Sequence, residues 1–161
     1  MGEKYYEELK KLITGAAGRM LDLEEEDFEF KASPEKWSKK EILGHLIDSA
    51  LNNHQRFIRA WDNDDLIFDG YDQVEWVKRS GYQQREKEEL IHLFISVNLH
   101  LALVVKDKDD AELTKTTNRH NFDQIGMRPV EKGSETSLGF LIEDYKFHLI
   151  HHLKQILDIR C

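Results

Sequence analysis

The chain has 161 residues, a length that suits a single domain spanning 1–161. With 23 basic against 31 acidic residues, its formal net charge is −8, so no nucleic-acid partner is expected. Two prolines, nine glycines and a hydrophobic share of 40% exclude collagen-like, low-complexity and disordered chains.

Helical periodicity dominates from the start. Over residues 3–23, Tyr5, Leu9, Leu12, Ile13, Ala16, Met20 and Leu23 recur at spacings of three and four, the apolar face of one helix. Gly15 and Gly18 either weaken this helix or allow close packing. Glu3, Lys4, Glu7 and Glu8 interrupt any apolar stretch after Met1, so no signal peptide is expected and the default location is cytoplasmic. The acidic runs 24–27 and 107–110 read as solvated surface.

The second helix has the clearest beginning. Ser38 can cap it, and Glu41 three residues later completes a capping box. Its stripe is Leu43, Leu46, Ile47, Ala50, His54, Phe57, Ile58 and Trp61, ending before the run 62–65. Gly70 and Gly81 punctuate a connector over 62–83, with a short helix predicted at 71–78. A third long helix is predicted over 85–106, with Leu90, Leu93, Phe94, Val97 and Leu101 on its buried face. Its most apolar window, 99–105, is far shorter than the ~20 residues of a membrane span, so no membrane partner is expected. Residues 114–136 read as loop, and a fourth helix over 137–159 begins at Ser137. Four amphipathic helices with two long connectors predict an all-α four-helix bundle with crossover connections.

Eight histidines are many for this length. His148 and His152 stand four apart, so a helix presents both rings on one face, with Cβ atoms ~5–6 Å apart. Leu141, Tyr145, His148, His152, Ile156 and Ile159 form one seam, and His151 falls beside it. Two imidazoles so placed can share a metal ion if another helix supplies a third ligand. Periodicity favours His54; His45 stands at the stripe's edge with Ser49, Asn52 and Arg56, and His92 and His100 are further options. The single cysteine, Cys161, ends the chain and is a poor nucleophile candidate.

Several stretches together carry a family resemblance. They are Trp37-Ser38, His45 followed by Leu46-Ile47-Asp48-Ser49, Arg56-Phe57, Tyr71-Asp72-Gln73 with Trp76, and the final-helix pattern His148, His151, His152, Gln155. This combination resembles the DinB/YfiT-like family of small bacterial bundle proteins. The resemblance implies a four-helix bundle with a long crossover and a divalent ion, often zinc or nickel, held by three histidines. Matched residue by residue, these are His45, His148 and His152, which sets the family pattern against the periodicity of His54.

Three neutral imidazoles leave a coordination position open and the ion's charge uncompensated, so a bound water or thiol would be acidified. Characterised relatives join a low-molecular-weight thiol to an electrophile, which implies a thiol S-transferase serving detoxification or stress. A metal-dependent hydrolase on the same site and a non-catalytic stress-related binding protein are the alternatives. Arg56, three turns from His45, would bind a carboxylate of the thiol, and Asn52 would line the pocket. Asp48 and Gln155 would orient ligating rings from behind, and Tyr145 on the seam reads as a core residue first, with an acid role as the alternative. The three tryptophans read as packing residues. Relatives often form homodimers, for which Tyr5, Tyr6 and Met20 of the first helix offer apolar surface that could equally belong to the core.

Overall fold

The computed structural model describes residues 1–61 and 63–159; Asp62, Arg160 and Cys161 lie outside this set. Among the described residues, four long helices form the core: α1 (Gly2–Leu21), α3 (Lys39–Trp61), α5 (Lys87–Lys106) and α8 (Leu138–Ile156). Short helices fill the connections: α2 (Glu25–Glu29), α4 (Gln73–Ser80), α6 (Asp110–Thr114) and α7 (Phe122–Ile125). The predicted apolar faces meet in one core, with Leu9, Ile13, Met20, Leu43, Leu46, Phe57, Phe94 and Leu101 sealed from solvent. Ile58, expected in the stripe of α3, is instead 40% exposed. Tyr5 and Met20 also lie in the core, so they offer no dimer surface.

The helices are not arranged round the bundle in chain order. α1 packs on α5, α5 on α3, and α3 on α8. Lys87 at the start of α5 donates to the Leu23 carbonyl beyond the end of α1 (2.6 Å), so these two helices are antiparallel. The Lys108 ammonium sits 3.7 Å from the Trp61 ring, which places the C-terminal ends of α3 and α5 together and makes that pair parallel. Lys39 reaches Asp158 (2.6 Å), so α3 and α8 are antiparallel. Joining parallel neighbours requires a segment that travels back along α3, about 34 Å for 23 residues. The connector carrying α4 does this, and the expected crossover is observed.

Local signals explain the helix ends. The Glu41 amide donates to Ser38 Oγ (3.1 Å) and the Ser38 amide to Glu41 Oε2 (2.9 Å), so the predicted capping box forms. Ser137 Oγ accepts from the Phe140 amide at the start of α8. α4 begins two residues later than its apolar pattern suggests, because the Asp72 carboxylate caps Val74 and Glu75. Gly81, at φ 64°, ends it in the left-handed region. α8 stops at Ile156 rather than Ile159: Asp158 turns to φ 52° and the Ile159 amide bonds back to the Lys154 carbonyl (3.0 Å).

Further expectations are resolved or revised. Gly15 and Gly18 face open space, and the close approach occurs at Gly44, where the Tyr82 ring occupies the volume a side chain would need. Residues 114–136 are not all loop: α7 and a two-residue antiparallel pairing of β1 (Thr116–Thr117) with β2 (Thr136–Ser137) interrupt them, just after α6. α5 as a whole is more apolar than its 99–105 window suggests. Its mean hydropathy over 18 residues is 1.5, enough by length and composition to cross a bilayer. Here it lies between α1 and α3, the position of a core helix.

Candidate metal centre

The site forms where the start of α3 meets the end of α8. The lysines that open α3 fix this meeting. Lys39 bridges Asp27 (2.8 Å) and Asp158, and Lys40 bridges Glu25 and Glu29 (2.7 Å). The acidic run 24–27 is therefore partly engaged rather than simply solvated. Two turns into α3, His45 is 1% exposed, with the Trp37 ring 5.2 Å away centre to centre. His148 and His152 are half-buried on α8 and complete the cluster, their ring centres 5.0 and 4.8 Å from that of His45. One nitrogen from each ring falls within 4.8 Å of the others.

The Nε2 atoms of His45 and His148 are 3.0 Å apart. Nitrogens bound to one ion at 2.0–2.1 Å, with an angle of about 90–110° between them, lie about 2.9–3.4 Å apart. The His45–His148 pair therefore has the spacing of two ligands of one ion, and His152, its nitrogen within 4.8 Å of theirs, supplies the third donor of the right chemistry. Gln155 Oε1 accepts from His152 Nδ1 (2.8 Å), which fixes that tautomer and leaves Nε2 free. The Gln155 amide donates to His151 Nε2 (3.2 Å), so His151 is engaged outside the cluster, as its exposed position requires. His45 Nδ1 and His148 Nδ1 are buried without a hydrogen-bond partner among the described residues.

Burial keeps all three rings uncharged. It pushes His45 down to about 4, with His152 adding to the effect. His148 is lowered further by burial and its histidine neighbours. His152 is lowered by burial against the opposing pull of Gln155. At neutral pH these rings offer lone pairs without first losing a proton.

A cavity of about 500 Å³ opens beside the cluster. On α3 its wall is His45, Ser49, Asn53 and Arg56, spaced four, four and three. Asn52, expected in this wall, misses it by one position of helical phase. It is half-buried and donates to the Asp48 carbonyl instead (2.9 Å). Arg56 is buried; its Nη2 donates to the Asp69 carbonyl (3.0 Å), and no carboxylate partners it among the described residues. Asp48 does not reach a histidine. Its Oδ1 accepts from the Tyr82 hydroxyl (2.7 Å), and its Oδ2 is buried without a partner. Burial raises the Asp48 carboxyl, and Tyr82 opposes that shift.

Sequence reasoning gave no role to two groups that build the wall. Tyr71 lines it with its phenol pushed up to about 12, by burial first and then by Asp48, while Arg56 opposes the shift. Asp144, one turn before His148, accepts from the Met127 amide (2.9 Å) and the Arg128 amide (2.8 Å), which ties the loop after α7 to α8. Its buried place four residues before a ligand candidate was the available signal. Tyr145 lines the cavity too, but its hydroxyl is committed to Asn98 on α5.

The other histidines lie elsewhere. His120 is structural: Nε2 contacts the Ser134 carbonyl (3.0 Å) and Nδ1 accepts from the Phe122 amide (3.2 Å). His92 is exposed, and half-buried His54 faces exposed His100 across α3 and α5. The buried histidine of α3 is thus His45, not His54.

Three neutral imidazoles from an antiparallel helix pair, beside an open cavity, define a metal-binding four-helix bundle protein. The chain belongs to the DinB superfamily, whose family model matches residues 8–156. It is similar to a proposed metal-dependent hydrolase of Bacillus mycoides, 22% identical over 158 residues, covering 98% of this chain and 84% of the relative. A second proposed metal-dependent hydrolase, from Oceanobacillus iheyensis, is 26% identical over 153 residues, covering 95% of this chain and 80% of the relative. YfiT from Bacillus subtilis, described as a probable metal-dependent hydrolase with an unusual four-helix bundle topology, shares the fold. Its TM-score is 0.76 at 14% identity, over 98% of this chain and 84% of YfiT.

Proposed function

We propose that this protein is a divalent-metal-dependent enzyme, with His45, His148 and His152 as the ligands, that joins a low-molecular-weight thiol to an electrophile. The observation that carries this reading is the uncharged three-histidine cluster on the edge of a cavity containing a buried arginine without a carboxylate partner. A divalent ion, zinc or nickel by the family resemblance although three imidazoles suit iron and copper as well, would favour the conjugate base of a thiol or a water. The chain's own residues do the rest. Gln155 holds His152 in the tautomer that presents Nε2. Arg56 offers its remaining N–H donors to a substrate carboxylate, and Tyr71 and Asn53 line the space beside it. The loop tied down by Asp144 closes the wall. A cavity of about 500 Å³ has room for a small thiol together with a small electrophile.

A second reading is hydrolysis at the same centre, with water in place of the thiol. The names of the two relatives favour it. One experiment separates the two. Metal content is measured by elemental mass spectrometry in wild type and His148→Ala, then the loaded wild type is assayed on monochlorobimane with a panel of bacterial thiols and on esters and amides without thiol. Thiol-dependent consumption of monochlorobimane, lost with the ion in His148→Ala, supports the transferase. Thiol-independent turnover of an ester or amide alone establishes the hydrolase. No ion in either protein after reconstitution refutes both.

A further inference from the structure

The His54–His100 pair lies outside the centre described above. His54 stands nine residues after His45 on α3, about 13 Å along the helix. It meets His100 on the parallel neighbour α5, and their Nε2 atoms are 3.1 Å apart. That spacing lies inside the range of about 2.9–3.4 Å that two imidazole nitrogens keep when they share one ion. The ring centres are 4.8 Å apart with planes tilted by 32°. A linear N–H···N bond of this length would hold the centres about 5.4 Å apart, so the nitrogens do not meet head-on. Neither Nε2 has another partner among the described residues.

The surroundings suit an ion more than they require a hydrogen bond. His54 is half-buried, and burial together with His100 lowers its pKa, so its lone pair is available at neutral pH. His100 is exposed, so water can complete a coordination shell. Leu51, Ile58 and Leu103, three or four residues from one of the two rings, are 46%, 40% and 49% exposed, so apolar side chains flank the pair on both helices. An exposed hydrogen bond between two rings adds little stability in water.

We propose that His54 and His100 form a second divalent transition-metal site, which cross-links α3 to α5 on the outer surface of the bundle. It takes zinc, nickel or copper(II), with water in the remaining positions. With two protein ligands it binds more weakly than a three-histidine centre. It does not depend on the function proposed for that centre.

Calorimetric titration of the chelator-stripped full chain with Zn²⁺ tests the proposal, comparing wild type, His100→Gln, His54→Gln and His148→Ala. Contacts that merely orient a ligand are worth 10–100-fold in metal affinity, so loss of one ligand should weaken this site by at least about 100-fold. The expected result is a weaker site in wild type that disappears in His100→Gln and His54→Gln and persists in His148→Ala. His100 is exposed, so its replacement leaves the helix packing intact, and a melt followed by circular dichroism checks this. Should the wild type bind only one ion, its loss in His100→Gln but not in His148→Ala would still support the pair and would refute the three-histidine ligand set instead. Indistinguishable isotherms for wild type and His100→Gln would overturn the proposal.

Discussion

Acidification of the metal-free protein should expose the cost of keeping His45 uncharged. Its pKa in the fold is about 4, against an ordinary value of 6.5. Below 6.5 the unfolded chain takes up a proton that the folded ring refuses, so unfolding gains ground as pH falls. The loss begins near 6.5 and is complete below about 4. At pH 5 the difference between the two values corresponds to about 2 kcal/mol, a large share of an ordinary domain's stability. The assay is urea unfolding of metal-stripped wild type and His45→Gln at pH 7, 6 and 5. Wild type should lose up to about 2 kcal/mol more than the variant over that interval: groups that do not touch His45 cancel in the difference, while His148 and His152, which do touch it, offset part of it. Equal slopes would refute the argument, since His45 would then titrate alike in the folded and unfolded states.

Other consequences concern the residues around the ligands. Gln155→Leu removes the acceptor that sets the His152 tautomer and should weaken zinc binding 10–100-fold, read by competition with a chromogenic chelator, with little change in the metal-free melting temperature. Gly44→Ala drives a methyl group into the Tyr82 ring and should cost about 1–3 kcal/mol in urea unfolding, with the Tyr82–Asp48 hydrogen bond disturbed as well. Arg56→Met should raise KM for a carboxylate-bearing substrate far more than it lowers kcat. An equal fall in turnover for a substrate without a carboxylate would show that Arg56 only anchors the connector at Asp69.

The local signals were legible because they act over three or four residues. Ser38 and Glu41 form their reciprocal cap whatever surrounds them, and Ser137 caps the Phe140 amide in the same way. The spacing of His148 and His152 places them on one face of any helix, and Gln155 three residues on is within reach of the second ring. The third histidine was not legible from periodicity. Residues 43–50 of α3 are all buried, so that helix has no single apolar stripe from which to read an inward direction. One side of it carries apolar core residues, and another carries the polar row His45, Ser49, Asn53 and Arg56 that faces the cavity. A one-stripe reading ranks His54 above His45, and only the family pattern corrected it. Asn52 was missed by one residue for the same reason.

From the sequence alone follow the four long helices, the need for a crossover between them, the ring pair on α8 and the acidic surface, because periodicity, capping and connector length are properties of neighbouring residues. Only the tertiary structure decided that α3 lies antiparallel to α8 and parallel to α5. That choice sets His45 against His148 and His152 and sets His54 against His100. It also brings Tyr71 to the Arg56 side of the cavity and ties the Met127 backbone to Asp144. These partners are far apart along the chain. Which of them meet is fixed by how four amphipathic helices bury their faces together, a global packing solution that no local pattern encodes.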